Sequence, residues 1–217
     1  MGINLCDWGD NMDATGIILA GGKSSRMGTN KALLEINGKT VIEAVVEELQ
    51  SIVNDIIIVT NSFEEYEFLR MPMVEDEWKG MGPLAGIQAG LNSSQTDRNL
   101  IVACDMPFIS AQLGTILLQQ LSEYQAAVPE MNGQLHPLFA AYRKEVRKEI
   151  QKSLEQNRLR IRGTFQNIHV KIMDNAELNQ QGFHIEESAF FNMNHPEEYE
   201  QAKTMSIKEE VKGRDES

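Results

Sequence analysis

Basic charge is scarce in this sequence of 217 residues. Twenty Lys and Arg face 32 Asp and Glu, a net charge of −12. Sequence-independent binding to nucleic acid or to an anionic membrane needs a surplus of cations, so both are excluded as main functions. Cysteine is scarce too. Cys6 and Cys104 stand far apart, and Cys104 sits in an apolar run, so a buried free thiol and a reducing cytosol are expected rather than a disulfide framework. No apolar run approaches the roughly 18 residues of a membrane span. The first residues, MGINLCDWGDNMDATG, have neither the basic start nor the apolar core of a signal peptide. The four histidines show no H-E-x-x-H or Cys/His ligand spacing, which argues against zinc chemistry, and no G-x-S-x-G elbow is present. There is no internal repeat, low-complexity tract or Pro/Gly-rich linker. One domain over 15–204 is expected, with a flexible extension over 1–14 and a charged, fraying tail over 205–217.

Short apolar runs alternate with helical periodicity. Residues 16–20 (GIILA), closed by Gly21-Gly22, predict a strand buried on both faces that ends in a tight loop. Val41, Ile42, Val45, Val46, Leu49 and Ile52 recur at helical spacing within 40–53. Strands follow at 56–60 and 100–104, with a short helix at 63–69 and a helix that includes 86–91 between them. Strand, helix, strand, helix, strand means a parallel sheet. The second half repeats the theme more loosely: helices near 110–123 and 145–155, strands near 126–129 and 137–142.

The loop after the first strand reads Gly21-Gly22-Lys23-Ser24-Ser25-Arg26-Met27-Gly28-Thr29-Asn30-Lys31, a basic, glycine-rich stretch in an acidic chain. Glycines let backbone N–H groups close on an anion, and Lys23, Arg26 and Lys31 can meet phosphate oxygens. At the carboxyl end of a parallel strand this is where open α/β sheets bind nucleotides; the alternative is a solvated turn. It is not a P-loop, because the glycine required five residues before Gly22 is Ile17, and the glycines do not fit G-x-G-x-x-G.

Cys104-Asp105-Met106-Pro107 delivers a carboxylate at the end of a buried strand. One carboxylate beside bound phosphates is enough protein for a Mg²⁺ site. Helix capping is the other reading, for which Ser110 is better placed. Asp76, before Gly80-Met81-Gly82-Pro83, can accept both N1–H and the exocyclic amine of guanine. Asn194 with Glu197 reads as a capping box, whereas Asn192 has no such explanation. His136 could contact substrate or end a strand. Arg158, Arg160 and Arg162 alternate, which would place them on one strand face as an anion patch or a wet surface.

The motifs LAGGKSSRMGTNKALL, GPLAGI, CDMPF, HPLF and FNMNHPEE, in that order over 15–202, resemble the molybdenum cofactor guanylyltransferases. The first alone resembles the wider nucleotidyltransferases that activate sugar and polyol phosphates. The resemblance implies an α/β, three-layer Rossmann-like fold with a mostly parallel sheet. It also implies a cytoplasmic, Mg²⁺-dependent enzyme that joins GMP from GTP to the phosphate of molybdopterin and releases pyrophosphate. By motif, Leu19, Ala20, Gly21 and Gly22 resemble the nucleotide-binding turn, Lys31 the lysine that meets GTP phosphates, Asn61 and Asp76 the guanosine contacts, and Asp105 the magnesium ligand. Lys31, Arg26 and Asp105 would carry catalysis, while Arg26, His136, Asn192 and Asn194 match positions along the nucleotide and molybdopterin crevice. Expected partners are GTP, molybdopterin, other cofactor-biosynthesis proteins and apo-molybdoenzymes. One departure is His195, where the family more often has threonine. The alternatives are a cytidylyltransferase for the same cofactor, whose first turn is usually LAAG rather than LAGG, a sugar-phosphate nucleotidyltransferase, and a catalytically silent cofactor-delivery module.

Overall fold

The computed structural model describes residues 12–21, 30–184, 187–193 and 195–215. In chain order the strands and α-helices are β1 (Met12–Leu19), β2 (Glu35–Ile36), β3 (Lys39–Thr40), α1 (Val41–Gln50), β4 (Val53–Val59), β5 (Met73–Val74), α2 (Pro83–Ser93) and β6 (Arg98–Ala103). Then come α3 (Ala111–Gln120), β7 (Ala126–Met131), β8 (Gln134–Leu135), β9 (Phe139–Arg143), α4 (Arg147–Glu155), α5 (Ile161–Thr164), β10 (Val170–Met173), α6 (Asn175–Gln180) and α7 (Pro196–Asp215). The main sheet runs β10-β7-β9-β6-β1-β4-β5, with β8 paired to β7 and β2-β3 a separate hairpin. β1 pairs in parallel with both β4 and β6, whereas β9 lies antiparallel between β6 and β7.

Strand side chains alternate between two apolar layers. Ala14 and Ile18 of β1, with Leu100 and Val102 of β6, face α1 and α3, whereas Ile17, Leu19 and Ile101 face α2 and α4. α1 buries Val41, Ile42, Val45, Val46 and Leu49, the stripe its spacing predicts, and Thr40 starts it in a capping box with Glu43. On the other face α2 seats tightly on β1: a Cβ at Gly90 would overlap Ile17 Cγ2, and one at Gly86 would lie 3.3 Å from Leu19 Cδ2.

Several boundaries differ from the sequence expectation. β1 starts at Met12, inside the segment expected to be flexible; residues 1–11, with Cys6, lie outside the described residues. The helix expected at 63–69 is two 3-10 turns, Phe63–Glu65 and Glu67–Leu69, broken at the buried Tyr66. Arg158 and Arg160 lie in irregular chain and Arg162 in the short α5, all exposed, so they form no strand face; the alternation coincides with no partner strand to fix it. α7 stays helical past Met205 to Asp215, where Lys and Glu are good helix formers even without an apolar stripe.

Candidate active site

Strand pairing continues past the ends of β1, β4 and β6 and gathers their loops at one edge. Ala20 N–H donates to the Val59 carbonyl (2.8 Å), Cys104 N–H to the Leu19 carbonyl (3.2 Å), and Thr60 N–H to the Val74 carbonyl (2.9 Å). Leu19-Ala20-Gly21, Asn61, Asp76 and Asp105 therefore stand along the carboxyl edge of the parallel strands, as the motifs predict. Gly22, Lys23, Arg26 and Asn194 lie outside the described residues.

Lys31 and Asp105 meet across this edge. Lys31 opens the 3-10 turn Lys31–Leu33, and its Nζ lies 4.0 Å from Asp105 Oδ2, with the side chains 16% and 23% exposed. Burial raises the Asp105 pKa above the usual carboxylate value; Lys31 offsets part of this and the Glu198 carboxylate adds to it. An anion so incompletely compensated fits a divalent cation. Among the described residues no three His, Cys, Asp or Glu side chains cluster as a metal cage. Asp105 is thus the carboxylate that could hold a hard ion, whose shell phosphate and water would complete. The adjacent Cys104 thiol is pushed up to about 12 by burial, so it remains protonated and is no nucleophile.

At the other end of the edge Asn61 Nδ2 donates to Asp76 Oδ2 at 3.2 Å. Asp76 Oδ1 is buried with no hydrogen-bond partner.

His136 sits in the turn between β8 and β9 and stacks on Phe190, with ring centroids 4.1 Å apart and planes at 20°. Burial lowers its pKa, which favours the neutral ring. Asn192 Nδ2 donates to the Phe190 carbonyl (3.3 Å), and Met193 N–H donates to the Asp105 carbonyl (3.1 Å). The segment Phe190 to Met193 thus links His136 to Asp105 and places Asn192 between them. Two clefts, of about 430 and 370 Å³, share Pro107 and Phe108 in their walls.

The capping box expected of Asn194 and Glu197 falls on Asn194, outside the described residues; what is described is that α7 starts at Pro196 and that His195 N–H donates to Glu198 Oε2 at 2.7 Å. Proline at the first helical position was the signal for this register. Sequence reading also missed Asn30, Glu65 and Tyr66, whose hydrogen bonds join segments 35 and 36 residues apart and leave no local pattern.

A mostly parallel sheet whose strand ends gather Gly21, the Lys31–Asp105 pair and the Asn61–Asp76 pair has the architecture of a nucleotidyltransferase. The comparisons narrow the class. A family model described as the MobA-like NTP transferase domain matches residues 16–168, and the chain belongs to that family. It is 36% identical over 194 residues to a probable molybdenum cofactor guanylyltransferase of Carboxydothermus hydrogenoformans, covering 88% of this chain and 96% of the relative. The crystal structure of molybdopterin-guanine dinucleotide biosynthesis protein A from Archaeoglobus fulgidus superposes with a TM-score of 0.77 at 25% identity, covering 89% of this chain and 99% of that one. A CMP:2-keto-3-deoxy-manno-octonic acid synthetase solved with CTP shares the fold at 15% identity, with a TM-score of 0.71 and coverage of 91% and 99%.

Proposed function

We propose that the protein transfers GMP from GTP to the terminal phosphate of molybdopterin, forming the guanine dinucleotide and pyrophosphate with magnesium as the metal. The observation that carries this reading is the Lys31–Asp105 pair at the end of β1 and β6, with the Asn61–Asp76 pair at the far end of the same edge.

The acceptor is a phosphate monoester, already anionic near neutral pH, so the reaction needs no general base. An acceptor oxygen bonds to the α-phosphorus of GTP, and the bond from that phosphorus to the bridging oxygen of the β-phosphate breaks as pyrophosphate leaves. The backbone of Leu19, Ala20 and Gly21 offers the nucleotide a close approach, and Gly21 has open space where a Cβ would stand. Asp76 accepts from guanine N1–H and its exocyclic amine, and Asn61 orients that carboxylate. Lys31, with Arg26, offsets charge on the phosphates, and Asp105 would hold magnesium, which when bound withdraws further charge from them. His136 and Asn192 line the acceptor side, to which Asn194 is assigned by motif alone. Catalysis then rests on in-line positioning and charge stabilisation.

Pyrophosphate release from GTP and molybdopterin tests this reading. The wild-type protein should turn over with Mg²⁺, and Asp105→Ala should lose about 10²–10³-fold in kcat while keeping its circular dichroism spectrum. Normal turnover by a folded Asp105→Ala protein would contradict the metal assignment.

A further inference from the structure

Asn30 immediately precedes Lys31, and its side-chain amide works in two directions. Oδ1 accepts from Ala32 N–H at 3.1 Å and caps the turn that begins with Lys31. Nδ2 donates to the Tyr66 hydroxyl at 2.8 Å and to the Glu65 carboxylate, both on the chain that follows β4. Tyr66 is 2% exposed, and burial pushes its phenol far above the usual range, so the acceptor is a fixed, neutral hydroxyl.

A three-residue 3-10 turn has little stability of its own, because nucleating a helical turn fixes several dihedrals for one hydrogen bond. Its direction must come from what holds its start. The lysine stem is flexible, so the ammonium is placed by where the backbone of Lys31 is anchored. Ala32 anchors the far side by full burial, and Asn30 anchors the near side to Tyr66 and Glu65.

We propose that Asn30 is a positioning residue for nucleotidyl transfer, tying the Lys31 turn to the segment after β4 so that the Lys31 ammonium stays beside Asp105 at the phosphates. The proposal rests on the reading above that Lys31 meets the GTP phosphates. Misplacing a charge-stabilising group by about 1 Å costs on the order of 10²-fold in rate.

The test compares steady-state transfer by wild type, Asn30→Ala, Asn30→Asp and Asn30→Asp/Glu65→Gln, alongside GTP affinity by calorimetry and thermal melts. Asn30→Ala should lose about 10–100-fold in kcat, with a smaller change in GTP affinity and a melting temperature near that of wild type. Asn30→Asp keeps the capping oxygen but sets a second carboxylate against Glu65, and should lose activity to a similar degree. Adding Glu65→Gln restores a donor in the reversed sense and should recover most of the lost turnover; a mere brace for folding would move the melts and not this rescue. Full activity in Asn30→Ala, or no recovery in the double variant, overturns the proposal. A wild type that neither binds nor transfers GTP overturns the functional reading itself, and this one with it.

Discussion

Burial raises the pKa of Asp105, and Lys31 only partly offsets it. The native state therefore holds the Asp105 proton more firmly than the unfolded chain does. Stability from this group falls as pH rises through its folded pKa, and at neutral pH the ionised carboxylate opposes folding. Asp105→Asn should consequently melt higher than wild type at pH 7.5 in the absence of ligands, and the difference should shrink toward pH 4. The same variant should lose transfer activity, since an amide is a poor ligand for magnesium. An Asp105→Asn protein that melts lower at pH 7.5 would mean that its charge is compensated in the apoprotein. Asp76 is the second residue whose chemistry is visible in its surroundings. One oxygen is held by Asn61, and the other is buried without a partner among the described residues. The strand-end position of Asp105 was legible in the sequence, whereas Asp76 was chosen by residue type and the short strand β5 before it was not expected. Asn30 was not, because its partners lie across the fold.

The elements show where a motif's register and its meaning part. Proline at the first position and Glu198 three residues after His195 set the start of α7, and the Glu198 half of the capping box is formed. His195 supplies no side-chain acceptor to the Glu198 N–H, which donates to the His195 carbonyl instead. His195→Thr would complete the box with a hydroxyl, for about 1 kcal/mol of added stability. In a chain of this size that is a rise of about 2–4 °C in Tm, read from thermal melts; an unchanged or lower Tm would mean that the cap is not limiting. Among the strands, β1, β4 and β6 were readable because burial on both faces makes them continuous apolar runs bounded by turns. β9 was less so. It carries the apolar run of a central strand, and nothing local distinguishes antiparallel insertion between β6 and β7 from a further parallel step.

For the whole molecule, doubly covered strands and short crossovers bring residues from positions 19 to 193 to one edge, and this long-range assembly makes the site. Both substrates are anions, and the chain carries −12, so the general field repels them. On the proposed reading, binding comes from local groups at that edge: Lys31, the backbone of Leu19 to Gly21, and a metal ion that Asp105 would hold. The family resemblance was legible because its motifs fall at strand ends, where topology forces residues together. The same resemblance picked out His136 and Asn192, but the contacts that join them through Phe190 were not legible, because they run between the β8–β9 turn and the segment before α7.

The most direct test offers the protein a choice. Purified protein, molybdopterin, Mg²⁺ and equimolar GTP and CTP are incubated together, and the dinucleotide product is identified by mass spectrometry. With Asp76 facing guanine, the guanine dinucleotide should be the dominant product and should vanish when Mg²⁺ is chelated. A cytosine dinucleotide, or nucleotide transfer that persists without the metal, would contradict the account.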